Sequence, residues 1–232
     1  MTSRTTSTKR SRQSTEGEPD IALVLRQVRR EIKKFTVPAV TQVAWERDPF
    51  LVLVSTLISL RTKDDVTASA SARLFEAAKT PKDIAALKEE AIAQLIYPAG
   101  FYRTKAKTIR DVCTTLLDEH EGQVPSEIDA LVRLKGVGRK TANLVVTLGF
   151  NKPGICVDIH VHRISNRWGY VSTKDPEKTE WALREKLPRR YWISYNDLLV
   201  TFGQNVCLPV SPKCSACPLE PQCPKLGVTR HR

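Results

Sequence analysis

The chain has 232 residues, 41% of them hydrophobic, and a formal net charge of +12 with an isoelectric point near 9.6. That length and apolar content suit one large or two small globular domains and exclude a disordered or fibrous chain. The positive excess points to a polyanionic partner, most often nucleic acid, and the longest apolar run, Phe50 to Leu60, is broken by Ser55, Thr56 and Ser59 and excludes a membrane span.

Residues 1–19 are rich in Ser, Thr, Arg and Lys without apolar periodicity. They read as a disordered basic tail, although an organellar transit peptide has the same composition. No secretory apolar segment is present at the start. The expected compartment is therefore reducing: cytoplasm (nucleoid) in a bacterium, nucleus or mitochondrion in a eukaryote. Ile21, Val24, Leu25, Val28, Ile32 and Phe35 recur at helical spacing and predict a helix within 20–41. Asp48-Pro49 is an N-cap followed by a first-turn proline, opening a helix through Leu60. Thr80-Pro81 and Asp175-Pro176 repeat that signal. Thr104 opens a predicted helix to about His120, and Ser126 another to Leu134. No segment alternates strictly between apolar and polar residues, so the fold class is all-α. Trp45, Trp168, Trp181 and Trp192 are scattered and expected to pack. Cys113 and Cys156 read as buried small hydrophobes.

Residues 126–149, SEIDALVRLKGVGRKTANLVVTLG, form a helix, a tight Gly136-Val137-Gly138 turn and a second helix from Arg139 or Lys140. Two glycines let the backbone turn sharply and come close to a ligand. The free N–H groups at the second helix's start, with its positive dipole end, suit a phosphate. This is a helix-hairpin-helix, which grips a DNA backbone without reading base edges. By residue type alone, Lys140 is a phosphate contact and Asp158 an N-cap for a helix from Ile159.

The stretch CLPVSPKCSACPLEPQC spaces Cys207, Cys214, Cys217 and Cys223 as C-x6-C-x2-C-x5-C. In a reducing compartment, four such thiols favour a metal centre over disulfides. A zinc site usually pairs two knuckles from separate turns, whereas one CxxC with single cysteines on longer arms suits a [4Fe–4S] cluster. A zinc site and a disulfide-stapled tail are the alternatives. His160 and His162 are not expected to bind metal.

The hairpin, the run Val157-Asp158-Ile159-His160-Val161-His162-Arg163 and the cysteine loop, in that order, closely resemble the endonuclease III family of DNA glycosylase/AP lyases. The likeness covers about residues 20–225. The stretches IYPAGFYRTKAKTI and FGQNVCLPVSPKCSAC look most like its eukaryotic thymine glycol branch. The resemblance implies a two-lobed fold: a helical barrel over 42–154, and a cluster domain of 20–41 plus 155–232. It implies Lys140 as the Schiff-base nucleophile and Asp158 as the carboxylate beside it. It implies a backbone grip by Gly136, Gly138 and Arg139. Phe101 falls where the family has an apolar wedge, or is a core anchor. Arg61 stands where the family usually has a glutamine that fills the gap left by a flipped base. Lys213 is the only basic residue left in a loop where the family often carries several. The implied partner is double-stranded DNA with damaged bases or abasic sites, and the implied state a monomer. The rival readings are a monofunctional mismatch glycosylase, which would lack Lys140, and a non-catalytic DNA-binding iron–sulfur protein.

Overall fold

A computed structural model describes residues 19–232. Apart from Pro19, the expected basic tail lies outside the described residues. Among these no strand occurs, in keeping with the all-α reading, and no helix is long and apolar enough to cross a membrane.

The first helix, α1 (Ile21–Ile32), is capped by Asp20, whose Oδ1 accepts from Ala22 N and Leu23 N. The helix expected within 20–41 is in fact two. α1 stops at Ile32, and α2 (Ala39–Val43) begins after Pro38, which lacks an N–H and disfavours helix at the residue before it. Asp48 caps α3 (Pro49–Ser59), whose side chains from Phe50 to Ile58 are all buried. α4 (Asp64–Ala77) follows, then α5 (Pro81–Ala86), which a reciprocal Thr80–Asp83 capping box opens. α6 (Glu89–Ile96) leads into α7 (Tyr102–His120). α7 starts two residues before the expected Thr104, because Phe101 adopts a left-handed φ of 57° immediately ahead of it. α8 (Ile128–Leu131) is shorter than expected. Glu127 takes the cap position, while the Ser126 hydroxyl binds Lys152 and Glu127.

α9 (Arg139–Leu144) runs on into a π-helical turn, Val145–Gly149. That turn packs on the start of α3. A Cβ at Gly149 would lie 2.8 Å from Pro49 Cα, so only glycine allows the approach. α10 (Ile159–Arg167), α11 (Pro176–Lys186, capped by Asp175) and α12 (Trp192–Asn205) complete the helices.

Two hydrophobic cores result. The first gathers α2 to α9 around the buried α3 and runs from Val40 to Cys156. The second joins Val24, Leu25 and Val28 of α1 to residues between Ile155 and Leu219. Each fully buried aliphatic side chain contributes roughly 1.5–3 kcal/mol. Cys113 and Cys156 are both buried in the first core, and burial pushes both thiols up to about 12. Trp168 is buried and packs against Phe202. Trp45 and Trp181, expected to pack, are exposed. The Trp181 ring instead carries the guanidinium groups of Arg139 and Arg184.

Polar ties join the cores. Thr41 Oγ1 donates to Asp197 Oδ1 at 2.7 Å, and Asn196 Nδ2 to the Cys156 carbonyl at 3.2 Å. Glu180 receives Arg139 through both carboxylate oxygens, at 2.9 and 3.0 Å, and also Arg184 Nε at 2.9 Å. Arg184 Nη2 reaches Asn143 Oδ1 at 3.2 Å.

Candidate active site

A cleft of about 230 Å³ opens between the cores. Lys140, from the first turn of α9, and Asp158, at the head of α10, both line it. The chain between them folds back because the 150–158 segment returns along α9, where Cys156 Sγ lies 3.6 Å from the Lys140 carbonyl. Asp158 Oδ1 accepts from His160 N and Val161 N, both at 2.9 Å. The carboxylate is therefore fixed at the positive end of a nine-residue helix. Oδ2 takes part in neither of these bonds.

The far wall is polar. His160, Asn196, Asp197 and Gln204 project from α10 and α12. Burial, with Arg163 and Lys140 nearby, holds the His160 imidazole below its usual range against the opposing pull of Asp158. Its Nδ1 faces Arg163 Nη2 at 3.1 Å, a donor, so the ring's proton belongs on Nε2. Burial also raises Asp197 and Asp64, which face the same cleft. His162 turns away and binds Thr179 Oγ1 at 2.7 Å.

The hairpin sits at the start of α9. Val137 N donates to the Leu134 carbonyl at 3.0 Å. Gly136 has φ +77°, and a Cβ there would meet Thr108 Cγ2 at 2.6 Å. Gly138 differs: its φ is −87°, and a Cβ would meet nothing within 4 Å. The protein itself gives no reason for glycine there, whereas an approaching backbone would. The Arg139 side chain, expected at a phosphate, is held by Glu180 and lies 4.8 Å over the Trp181 ring. The carboxylate raises its guanidinium further.

Beside the cleft, two turns meet. Ser59 and Thr62 line the cleft on either side of Arg61. Arg61 and Phe101 both take left-handed φ, 52° and 57°. The Arg61 guanidinium lies 5.6 Å from the Phe101 ring centre, and Phe101 is 63% exposed. It is not a core anchor.

The four C-terminal cysteines line a single apolar cavity together with Arg167, Trp168 and Phe202. None is in a disulfide. Arg167 Nη1 points at Cys207 Sγ at 3.5 Å, and Leu219 N at Cys217 Sγ at 3.4 Å. Burial pushes Cys217 up to about 11 and raises Cys214 and Cys223 as well. Among the described residues, no three His, Cys, Asp or Glu side chains gather closely enough to hold a single metal ion. Lys213 is exposed on this loop and does not line the Lys140–Asp158 cleft.

Residues 54–189 match the family of HhH-GPD superfamily base excision DNA repair proteins. Endonuclease III of Thermotoga maritima is 47% identical over 77% of this chain and 84% of its own length. The mouse endonuclease III-like protein 1 is 44% identical over 75% of this chain, which spans 59% of the mouse protein. The chain belongs to the endonuclease III family. A solved non-covalent endonuclease III–DNA complex superposes with a TM-score of 0.79 at 34% identity, covering 88% of this chain and 94% of the other. A trapped covalent endonuclease III–DNA intermediate gives 0.72 at 32% identity, covering 87% and 96%.

For this endonuclease III family member, two groups at the site escaped the sequence reading. Lys105 is 7% exposed and donates to Ile58 O, Leu60 O and Thr62 Oγ1 at 2.5–2.7 Å. Burial pushes its ammonium down to about 8. Glu180 is equally buried. Both had a visible signal. Lys105 shares the helical stripe of Ile109, Val112 and Leu116, and Glu180 that of Leu183 and Leu187, so each is a charge on an apolar face.

Proposed function

We propose that this chain removes oxidised pyrimidines of the thymine glycol type from duplex DNA and cuts the strand 3′ of the site. The observation that carries this reading is the meeting of Lys140 and Asp158, from two different helices, in one cleft between two cores. A phosphate-binding lysine would need no fixed carboxylate facing the same space.

The damaged nucleotide is turned out of the duplex, since its C1′ is unreachable while stacked. The Lys140 amine attacks C1′, and the base departs with the electrons of the glycosidic bond. Asp158 stands beside C1′, where its carboxylate stabilises the cation developing on the sugar. The amine gives up a proton, the sugar ring opens, and an iminium forms between Lys140 and C1′. That iminium acidifies the C2′ proton. Its removal expels the 3′ phosphate by β-elimination. Asp158 is in the cleft to take a proton. Phe101 enters the stack and Arg61 fills the space left by the flipped base. Gly136, Gly138 and the first turn of α9 bear on a phosphate backbone. The protein acts as a monomer on double-stranded DNA containing damaged bases or abasic sites.

Cys207, Cys214, Cys217 and Cys223 are proposed to hold a [4Fe–4S] cluster. Four unpaired thiols around one cavity, with N–H donors aimed at two sulfurs, fit such a group. Burial raises the thiols of Cys214, Cys217 and Cys223, and a bound cation would favour their ionised form. The cluster would supply the second core with a covalent crosslink between loop segments, and no step above passes through it.

The test is borohydride trapping on a thymine glycol duplex. Wild type should give a covalent protein–DNA adduct. Lys140→Gln should give none, and no strand cutting, while still binding the duplex. A mutant that traps at the wild-type rate places the nucleophile elsewhere.

A further inference from the structure

Lys105 ties together the Arg61 turn and the Phe101 turn, the two exposed turns at the cleft rim. Its ammonium holds three acceptors of the first turn: the Ile58 and Leu60 carbonyls and Thr62 Oγ1. Its own backbone N–H donates to the Phe101 carbonyl at 3.0 Å. The bond from Gly100 N to Thr62 Oγ1, at 3.1 Å, closes the loop. The turns are also in steric register, since a Cβ at Gly100 would fall 2.4 Å from the Arg61 carbonyl. On the outside, the Arg61 guanidinium lies over the Phe101 ring. Both turns sit at left-handed φ, which non-glycine residues keep only when their surroundings hold them there.

The arrangement is costly unless it serves something. The three acceptors include carbonyls at the C-terminal end of α3, which lack partners within the helix. An apolar side chain would take from the Ile58 carbonyl the donor it has here and leave Leu60 O only the Thr62 hydroxyl at 3.3 Å, and a surface lysine would not order the turns. A cation inside the protein here fixes two exposed side chains relative to each other without touching what they touch.

We propose that Lys105 is a positioning residue that locks Arg61 and Phe101 into one rigid unit, set to enter DNA together. The idea rests on the proposed wedge and gap-filling roles of Phe101 and Arg61. A pre-ordered pair spends no side-chain or loop entropy at the moment the duplex opens. A pair of independent loops would.

The test uses Lys105→Met, which keeps the stem and removes the donors, and Gly100→Ala, which forces the turns apart without touching Lys105. Hydrogen exchange of the Gly100 amide in the free protein reads the lock directly. It should speed up in Lys105→Met while amides of the first core keep their protection. Single-turnover base release from a fully paired thymine glycol duplex should fall about 10- to 100-fold in either variant. Cutting of a single-stranded abasic site, which needs no duplex opening, should hold near the wild-type rate. In a Phe101→Ala background, Lys105→Met should cost little more, because the two act through one step. Unchanged exchange at Gly100 overturns the lock. Losses that multiply in the double variant show that Lys105 acts by another route, and also overturn it. Failure of the underlying reading looks different: Phe101→Ala alone would then match wild type on the paired duplex.

Discussion

Asp158 carries two jobs on separate features of one side chain. Oδ1 caps α10, and the charge faces the cleft. Asparagine matches aspartate as a cap but is neutral. Asp158→Asn should therefore leave the thermal midpoint nearly unchanged and slow base release about 100- to 1,000-fold. A parallel loss of stability and rate would reduce Asp158 to a cap. Arg61 gives a prediction of a different kind. Guanidinium donates and never accepts, so it favours guanine, with its O6 and N7, as the orphaned partner over adenine. Lesions opposite guanine should be processed up to about tenfold faster than those opposite adenine. Arg61→Gln should flatten the ratio. Equal ratios in both proteins would make Arg61 a mere partner of the Phe101 ring. Glu180 sits between two arginines and is 4% exposed. Replacing it by Gln leaves both guanidiniums against a neutral amide, at a cost of about 2 kcal/mol in denaturant unfolding.

The hairpin's two glycines should respond in opposite ways to the same change. Alanine at 136 must accept φ +77° and a 2.6 Å contact with Thr108. Gly136→Ala should lose about 1–3 kcal/mol of stability. Alanine at 138 meets no strain and no neighbour. Gly138→Ala should melt like wild type and bind undamaged duplex more weakly. Equal binding would leave Gly138 without a role. At this scale the sequence was readable where a side-chain oxygen caps the helix it announces, and misleading at Ser126, whose hydroxyl binds Lys152 and Glu127 instead. Asp48, Thr80, Asp158 and Asp175 each cap the helix they predicted. α4, α6 and α12 gave no such sign, because Lys63, Lys88 and Tyr191 stand at their caps and make no side-chain bond there. The start of α7 was misplaced for the same reason, since it is set by backbone twist at Phe101 and not by a capping oxygen. Lys140 and Asp158, which line one cleft, were singled out by motif order along the chain. Lys105 and the Arg139–Glu180 pair were not, because their meaning lies in contacts 41 to 47 positions apart along the chain.

Across the whole molecule, a net charge of +12 and a cleft between two cores imply binding dominated by phosphate contacts. Affinity for undamaged duplex should fall steeply with salt, with a slope corresponding to roughly four to eight phosphates. A flat response between low and moderate salt would contradict the backbone grip. Cys217→Ser should yield poorly soluble, iron-poor protein, while wild type should be yellow-brown with about four irons per chain. A colourless, stable wild type with a single zinc would remove the cluster from the account.

The second core is assembled from both sides of the first: α1 comes from before it, and everything else from after residue 154. On a ribosome the chain emerges from its N-terminal end. Val24, Leu25 and Val28 must wait, their apolar faces wet, through the synthesis of more than a hundred residues before α12 appears to cover them. The first core has all its parts by then and can fold while still tethered. Asp158 heads α10, which packs in the second core, so the wall of the cleft opposite Lys140 depends on residues that are made last.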